Sequence, residues 1–155
     1  MSVDLDGVRR AVLKRRHSIL GYGTFLTRGE WKGAEGVEPA FLSGYRRVLP
    51  PGNPFPFAIR DPDCPGFWAL KFEVTPLRLV ELDHYEGIKE GLYHRRKLPA
   101  RLVGGDRWAF VYVYLPTAAT VRRFKLSPSL DPDDSWKEVL RADAELVARF
   151  PQLVE

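Results

Sequence analysis

Glu86 has the residue type and the spacing of an acid or base that faces the protein interior. Residues 75–87 are typical of one short helix, because a Thr-Pro pair suits its start and a glycine suits a left-handed stop. Glu86 follows Leu79 by seven residues and Leu82 by four, so it points the same way as this apolar stripe. An inward carboxylate at the negative end of a helix has a raised pKa, which suits a general base.

The same segment also allows a second interpretation, in which the helix end frays. Glu86 would then lie in water near Lys89, with no special chemistry. Residues 75–87 alone leave both interpretations open.

A glycine-rich turn is the other local signal for chemistry. Gly21-Tyr22-Gly23-Thr24 follows a short candidate strand, and such a turn frees backbone N–H groups that can hold a carboxylate or a developing oxyanion. Gly23 also lets a ligand approach the backbone closely. The alternative is an ordinary connection between a strand and a loop.

Motifs of the common enzyme classes are missing from the sequence. The three histidines share no metal-ligand spacing, and Cys64 is the only cysteine, so we expect neither a zinc site nor a disulfide. There is no Gly-x-Ser-x-Gly elbow, no Walker loop and no Gly-x-Gly-x-x-Gly fingerprint. We interpret Cys64, between Asp63 and Pro65, as a structural or incidental thiol.

Alternating apolar residues predict about six strands and few helices around these signals. The predicted strands cover residues 18–22, 40–49, 67–74, 93–103 and 107–115, with a further extended piece at 55–59. The predicted helices cover residues 7–16, 75–86 and 133–150, while 28–38 form a loop or short helix and 50–66 a Pro-rich rim or lid. Gly44 is a possible bulge. This order predicts an α+β domain built on a curled, mostly antiparallel sheet or barrel.

Inward packing faces are predicted for the two terminal helices. They consist of Val8, Val12 and Leu13 in the first helix, and of Trp136, Val139, Leu140, Leu146 and Val147 in the last.

Composition fits one globular domain over residues 1–155, with 45% hydrophobic and 28% charged residues. No apolar run is long enough to cross a bilayer, and residues 1–6 lack the features of a secretory signal. With one cysteine, a reducing, cytoplasmic location is expected. Asn53 and Gln152 are the only side-chain amides, which hints at a heat-adapted source.

The net charge of +4 is modest, and much of the excess lies in residues 9–16. We interpret this basic run as the solvated face of the first helix rather than as a nucleic-acid site. Binding of nucleic acid ranks last among the functions considered, because no aromatic platform is interleaved with the run.

Six stretches between about residues 18 and 115 form an ordered set. They are Tyr22-Gly23-Thr24-Phe25-Leu26, Gly44-Tyr45-Arg46, Gly66–Val74, Leu82-Asp83-His84-Tyr85-Glu86-Gly87, Tyr93-His94-Arg95-Arg96 and Trp108–Tyr114. In this order and spacing they resemble the motifs of the γ-glutamylcyclotransferase-like (AIG2-like) superfamily. Phe25, where leucine is common, and Gly21, where a bulky residue is usual, depart from the family pattern. Both terminal helices lie outside the match.

This resemblance implies a small mixed β-barrel with a pocket at one end. It implies that the loop of Tyr22, Gly23, Thr24, Phe25 and Leu26 binds a γ-glutamyl unit through backbone groups, and that Glu86 is the catalytic acid/base. Tyr93 either shapes the pocket and bonds the substrate or is a core aromatic. Asp83 is expected to be structural, with Arg95 as its possible partner.

The implied reaction releases 5-oxoproline from a small γ-glutamyl amide by attack of the substrate's own α-amine, with neither metal nor cofactor required. The protein is expected to be a monomer or a homodimer without membrane contact. The alternative is a non-catalytic module that binds a small ligand on the same barrel. Glu86 argues against this alternative, because an amide would be safer at a site that only binds.

Overall fold

Five strands close into a barrel, and two further strands form a separate small sheet. The computed structural model describes residues 3–155, apart from the side chains of residues 10–14. The barrel strands are β1 (His17–Gly21), β2 (Glu35–Ser43), β5 (Gly66–Val74), β6 (Tyr93–Leu102) and β7 (Trp108–Pro116), and the small sheet contains β3 (Tyr45–Val48) and β4 (Phe57–Arg60). The helices are α1 (Leu5–Lys14), α2 (Thr24–Thr27), α3 (Pro76–Tyr85), α4 (Ala118–Phe124), α5 (Trp136–Arg141) and α6 (Ala144–Arg149), followed by a 3₁₀ turn at Pro151–Val154.

The barrel is mixed but mostly antiparallel, in the order β1-β5-β2-β6-β7. Ile19 of β1 shows how it closes, because this residue lies opposite Phe72 of antiparallel β5 and opposite Tyr112 of parallel β7. The remaining neighbours pair antiparallel, with β2 between β5 and β6. The predicted fold class is therefore confirmed.

The buried apolar residues form two clusters, one inside the barrel and one in the layer between the barrel and the helices. The interior cluster is built from alternate residues of the strands, among them Leu20, Tyr22, Ala40, Leu42, Ala69, Ala100, Val111 and Val113. The second cluster fills the space between the strands and the helices, and includes Ile19, Phe25, Leu26, Phe72, Leu79, Leu82, Tyr114, Trp136 and Leu140. Alternation in β7 was thus predictive, since Val111 and Val113 are fully buried.

The prediction of one strand over residues 40–49 was wrong. Gly44 has a φ of +73°, which ends β2 and starts β3 in the other sheet. A side chain at Gly44 would be strained in this left-handed conformation and would also meet the Arg60 guanidinium at 3.2 Å. β2 also starts earlier than predicted, at Glu35, so the described residues contain seven strands rather than about six.

The prediction of one helix over residues 133–150 was wrong as well. Asp143 is extended and its carboxylate accepts a 3.1 Å hydrogen bond from the N–H of Leu146, so it caps a new helix, α6, and separates it from α5. Trp136, Leu140 and Leu146 are buried as predicted, whereas Val139 is 38% exposed.

Two further differences concern helices. α4 was not predicted, although Thr117 caps it by accepting a hydrogen bond from the N–H of Thr120. In α1 the predicted inward Val8 is 54% exposed, and the side chains of Val12 and Leu13 lie outside the described residues. No helix in the described part of the chain combines the length and apolar character needed to span a bilayer.

A buried ion pair joins the small sheet to the site. Arg47 of β3 is fully buried and bonds Asp134 twice, at 2.8 Å and 2.9 Å, in the bidentate geometry that arginine favours. Its third contact is a 2.8 Å hydrogen bond to the carbonyl of Tyr22. Arg47 therefore fixes the backbone where β1 ends.

We expect Arg47→Met to lower the free energy of unfolding by about 3–5 kcal/mol, because Asp134 and the Tyr22 carbonyl would lose their buried partner. Arg60→Met in the same sheet is the matched control, since Arg60 is exposed and should change stability by less than about 0.5 kcal/mol. Chemical denaturation of both variants measures the difference. A loss below about 1 kcal/mol for Arg47→Met would contradict this role.

Candidate active site

Helix α3 holds Glu86 at its C-terminal end. Thr75 caps the start by accepting a 3.1 Å hydrogen bond from the N–H of Arg78. The N–H of Glu86 donates to the Leu82 carbonyl at 2.9 Å, and Gly87 follows with a φ of +67°. The predicted cap and stop are thus both present, and the last turn is ordered rather than frayed.

Glu86 lines a cavity of about 190 Å³. The lining comes from distant parts of the chain: Leu20, Tyr22, Gly23, Thr24, Phe25, Phe55, Pro56, Tyr85, Glu86, Leu92, Tyr93 and Tyr114. Glu86 is the only charged residue among the described residues of this lining. Six of the seven predicted site residues meet here, while Leu26 lies fully buried in the core outside the lining.

Burial raises the pKa of Glu86 from 4.5 to about 7. The carboxylate forms no ion pair and no hydrogen bond with any group that the structure describes, so no direct partner compensates for its loss of water. The Arg28 cation acts in the opposite direction and lowers this pKa by a smaller amount. Glu86 can therefore take up or release a proton near neutral pH.

Arg28 has contacts of its own near the cavity. Its guanidinium lies 4.1 Å from the ring centre of Tyr85 and forms a 3.2 Å ion pair with Glu30. Tyr85 is a cavity residue that is 49% exposed. These contacts hold the Arg28 cation near Glu86. Its charge therefore lowers the pKa of Glu86, although the two side chains do not pair directly.

The turn at the end of β1 places free backbone donors in the lining. The N–H groups of Gly23, Thr24 and Phe25 donate no hydrogen bond within the described part of the chain, which is expected where a helix such as α2 begins. A side chain at position 23 would crowd the Pro56 ring, because a Cβ there would lie 3.0 Å from it.

Gly21 and Phe25 lie against each other. A Cβ at Gly21 would lie 3.2 Å from the Cβ of Phe25 and 3.1 Å from the ring of Phe72. The missing side chain at Gly21 thus leaves room for Phe25, whose ring also packs edge-on against Tyr114.

Three of the four tyrosines in the described cavity lining are buried and stay neutral. Burial raises the pKa of Tyr22, Tyr93 and Tyr114 above the ordinary range. The Tyr22 hydroxyl donates to the Tyr114 carbonyl, and the Tyr114 hydroxyl donates to Asp83 at 2.7 Å. Tyr93 stacks on Phe57, with ring centres 5.6 Å apart, and its hydroxyl bonds no other described group, so it remains available to a ligand.

Asp83, the second carboxylate of this helix, is paired. Arg95 forms an ion pair with it at 2.9 Å, and Tyr114 donates to it as well. The expected structural role of Asp83 is consistent with these contacts, and the neighbouring His84 is exposed.

Several lining residues were missed from the sequence. Phe55 and Pro56 come from the Pro-rich segment, which was predicted only as a rim or lid. Tyr114 belongs to a strand whose alternation was clear, but alternation does not say which face meets the cavity. In the described part of the chain, no group of three or more His, Cys, Asp or Glu side chains is placed to hold a metal ion.

A single carboxyl group with a pKa near neutrality, beside free N–H donors and neutral hydroxyls, suits proton transfer at a polar bond. The N–H groups can stabilise negative charge on an oxygen, and the aromatic walls exclude water.

Comparisons with known proteins agree with this fold. A family model described as Gamma-glutamyl cyclotransferase, AIG2-like, matches residues 19–138. A search of curated proteins found no match. A solved structure from Arabidopsis thaliana is similar, with 18% identity and a TM-score of 0.61, covering 86% of this chain and 87% of the other.

Two further solved structures have related folds. An AIG2-like protein from Mus musculus has 17% identity and a TM-score of 0.56, covering 75% of this chain and 82% of its own. A gamma-glutamyl cyclotransferase specific to glutathione, from yeast, has 16% identity and a TM-score of 0.55, covering 88% of each chain. At such identities the likeness shows the fold alone. Because the family model spans most of the sequence, including both the glycine turn and Glu86, the chain belongs to the gamma-glutamyl cyclotransferase, AIG2-like family.

Proposed function

We propose that this protein releases 5-oxoproline from a γ-glutamyl amide, with Glu86 as the general acid/base. The observation that carries the proposal is an unpaired carboxyl group, with a pKa raised to about 7, in a cavity that it shares with the Tyr22-Gly23-Thr24-Phe25 turn. The proposal also rests on membership of the family.

The first step moves a proton from the substrate to Glu86. A γ-glutamyl group carries an α-ammonium ion, which cannot attack until it loses a proton. Glu86 in its ionised form accepts this proton. The raised pKa of Glu86 makes the difference in pKa between the carboxyl group and the ammonium ion smaller.

In the second step the free amine attacks the γ-carbonyl carbon of the same substrate. A C–N bond forms and closes a five-membered ring, while the carbonyl oxygen becomes an oxyanion. Correct positioning of an intramolecular reaction can supply about 7–11 kcal/mol. The N–H groups of Gly23, Thr24 and Phe25 are suited to the oxyanion, an effect worth about 3–4 kcal/mol for one donor in known cases.

In the third step the oxyanion collapses, and the bond to the departing nitrogen breaks. Protonated Glu86 donates its proton to that nitrogen, and the ring nitrogen then passes its second proton through Glu86 to the departing amine. The products are 5-oxoproline and the amine in its ammonium form, and Glu86 returns to the ionised state.

The size of the cavity fits a small acyl group. Its volume of about 190 Å³ is below the roughly 300–1,000 Å³ of pockets for drug-sized ligands, which suits an amino-acid-sized unit. Tyr93, with its available hydroxyl, is placed to hydrogen-bond a polar group of that unit.

We expect Glu86→Gln to lower kcat for 5-oxoproline release by at least about 100-fold, because glutamine cannot carry the proton. Glu81→Gln is the matched control, since Glu81 lies on the same helix but is exposed and pairs with Arg78. The assay scores 5-oxoproline release from a panel of γ-glutamyl amino acids, amines and peptides.

Two outcomes of this assay would contradict the proposal. Full activity of Glu86→Gln would exclude the carboxylate as proton carrier. Saturable binding of a panel compound by the unmodified protein, without any 5-oxoproline, would favour the binding module.

Glu86→Gln should not reduce stability at pH 8, because burial already disfavours the ionised carboxylate.

The pH profile gives an independent prediction. Glu86 must be ionised to start the reaction, so kcat/KM should rise with pH and level off above an apparent pKa of about 7. Removing the Arg28 cation in Arg28→Met should move this midpoint to higher pH, since Arg28 lowers the pKa of Glu86. Lys32→Met, an exposed neighbour paired with Glu145, should leave it unchanged. A midpoint that moves down in Arg28→Met would contradict the assignment.

A further inference from the structure

A second concave surface lies on the side of β6 and β7 that faces away from the cavity. It is a groove of about 460 Å³, enclosed by β4, α4 and the ends of β6 and β7. Its four basic residues are Arg60, His94, Arg96 and Arg122. We call it the basic groove.

The floor of the basic groove is apolar. Ala58 and Ile59 of β4, Leu115 of β7 and Val121 of α4 contribute to it. Tyr45 lies beneath Arg60, whose guanidinium carbon is 5.6 Å from the ring centre. The groove therefore combines a surface for a flat or apolar group with a rim of cations.

Among the described residues no carboxylate lines the basic groove, and the side chains of its basic residues are unpaired. None of these four side chains forms an ion pair or a hydrogen bond with any group in the described part of the chain. The contrast within β6 is direct: Arg95, between His94 and Arg96, points the other way and pairs with Asp83 at 2.9 Å.

Charge, geometry and volume restrict the chemical class of ligand that the groove can bind. Several like charges around one groove repel each other unless an anion binds between them. Guanidinium groups match phosphate oxygens in bidentate geometry, and a phosphate dianion balances more of this charge than one carboxylate does. The groove volume falls in the range of sites for small molecules rather than of extended polymer surfaces.

We propose that the basic groove binds a small organic phosphate. Arg60, Arg96 and Arg122 hold the phosphate oxygens, and the apolar or aromatic part of the ligand lies on Ile59, Leu115 and Val121. This site is separate from the cavity, because Tyr93 and Tyr114 face the cavity while their neighbours His94 and Leu115 face the groove. The inference does not depend on the catalytic function proposed above.

Titration of the full chain at low ionic strength tests this site by calorimetry and by amide chemical shifts. The probes are phenyl phosphate, adenosine monophosphate and inorganic phosphate, with adenosine and benzoate as comparisons. We expect phenyl phosphate to bind about tenfold more tightly than inorganic phosphate, because its ring covers the apolar floor. Shifts should concentrate at His94, Arg96 and residues 118–122.

Paired variants separate a built site from general charge. The double variant Arg60→Ala, Arg122→Ala should weaken binding of phenyl phosphate by at least about tenfold. The double variant Arg101→Ala, Arg123→Ala removes the same charge from exposed positions outside the groove and should change binding by less than about twofold. Thermal unfolding of both checks that they fold.

Four results would overturn the proposal. These are no saturable binding of any phosphate probe, equal losses in the two double variants, benzoate binding as tightly as phenyl phosphate, and shifts confined to the cavity residues 22–25. The last result would assign phosphate binding to the other site.

Discussion

The fold buries one carboxyl group without giving it a direct partner in the described part of the chain. Glu86 faces a cavity in which it is the only charged residue of the described lining, and this burial raises its pKa to about 7. Asp83, three residues earlier, has partners instead, because Arg95 pairs with it and the Tyr114 hydroxyl donates to it. Two carboxylates on one helix thus have different chemistry because their surroundings differ.

The barrel and the small sheet supply those surroundings together. The glycine turn follows β1, Phe55 and Pro56 belong to the Pro-rich segment, and Glu86 lies at the end of α3. Arg47 of the small sheet holds the start of the glycine turn, since it binds the Tyr22 carbonyl and forms a buried pair with Asp134. The position of the backbone donors therefore depends on an ion pair between residues that lie far apart in the sequence.

Local signals were enough to predict the Glu86 helix, because its cap, its stop and its stripe all lie within residues 75–87. The glycine turn was predictable for the same reason. Interactions between distant residues were not: the Arg47–Asp134 pair, the seating of Phe55 and Tyr114 around the cavity, and the burial that sets the pKa of Glu86 all depend on packing. Leu26 was grouped with the site from the family motif but lies in the core. Gly44 ends a strand, and Asp143 separates two helices, at positions where apolar periodicity alone predicted that the strand or helix continues.

The most direct test is titration of the Glu86 carboxyl group itself. Carbon-detected NMR of protein labelled at the glutamate side chains follows each carboxyl carbon with pH, and the spectrum of Glu86→Gln assigns the signal. The account predicts an apparent pKa of about 7 for Glu86. A value near the ordinary 4.5 would mean that the carboxylate is solvated or paired, and would contradict its role as the proton carrier.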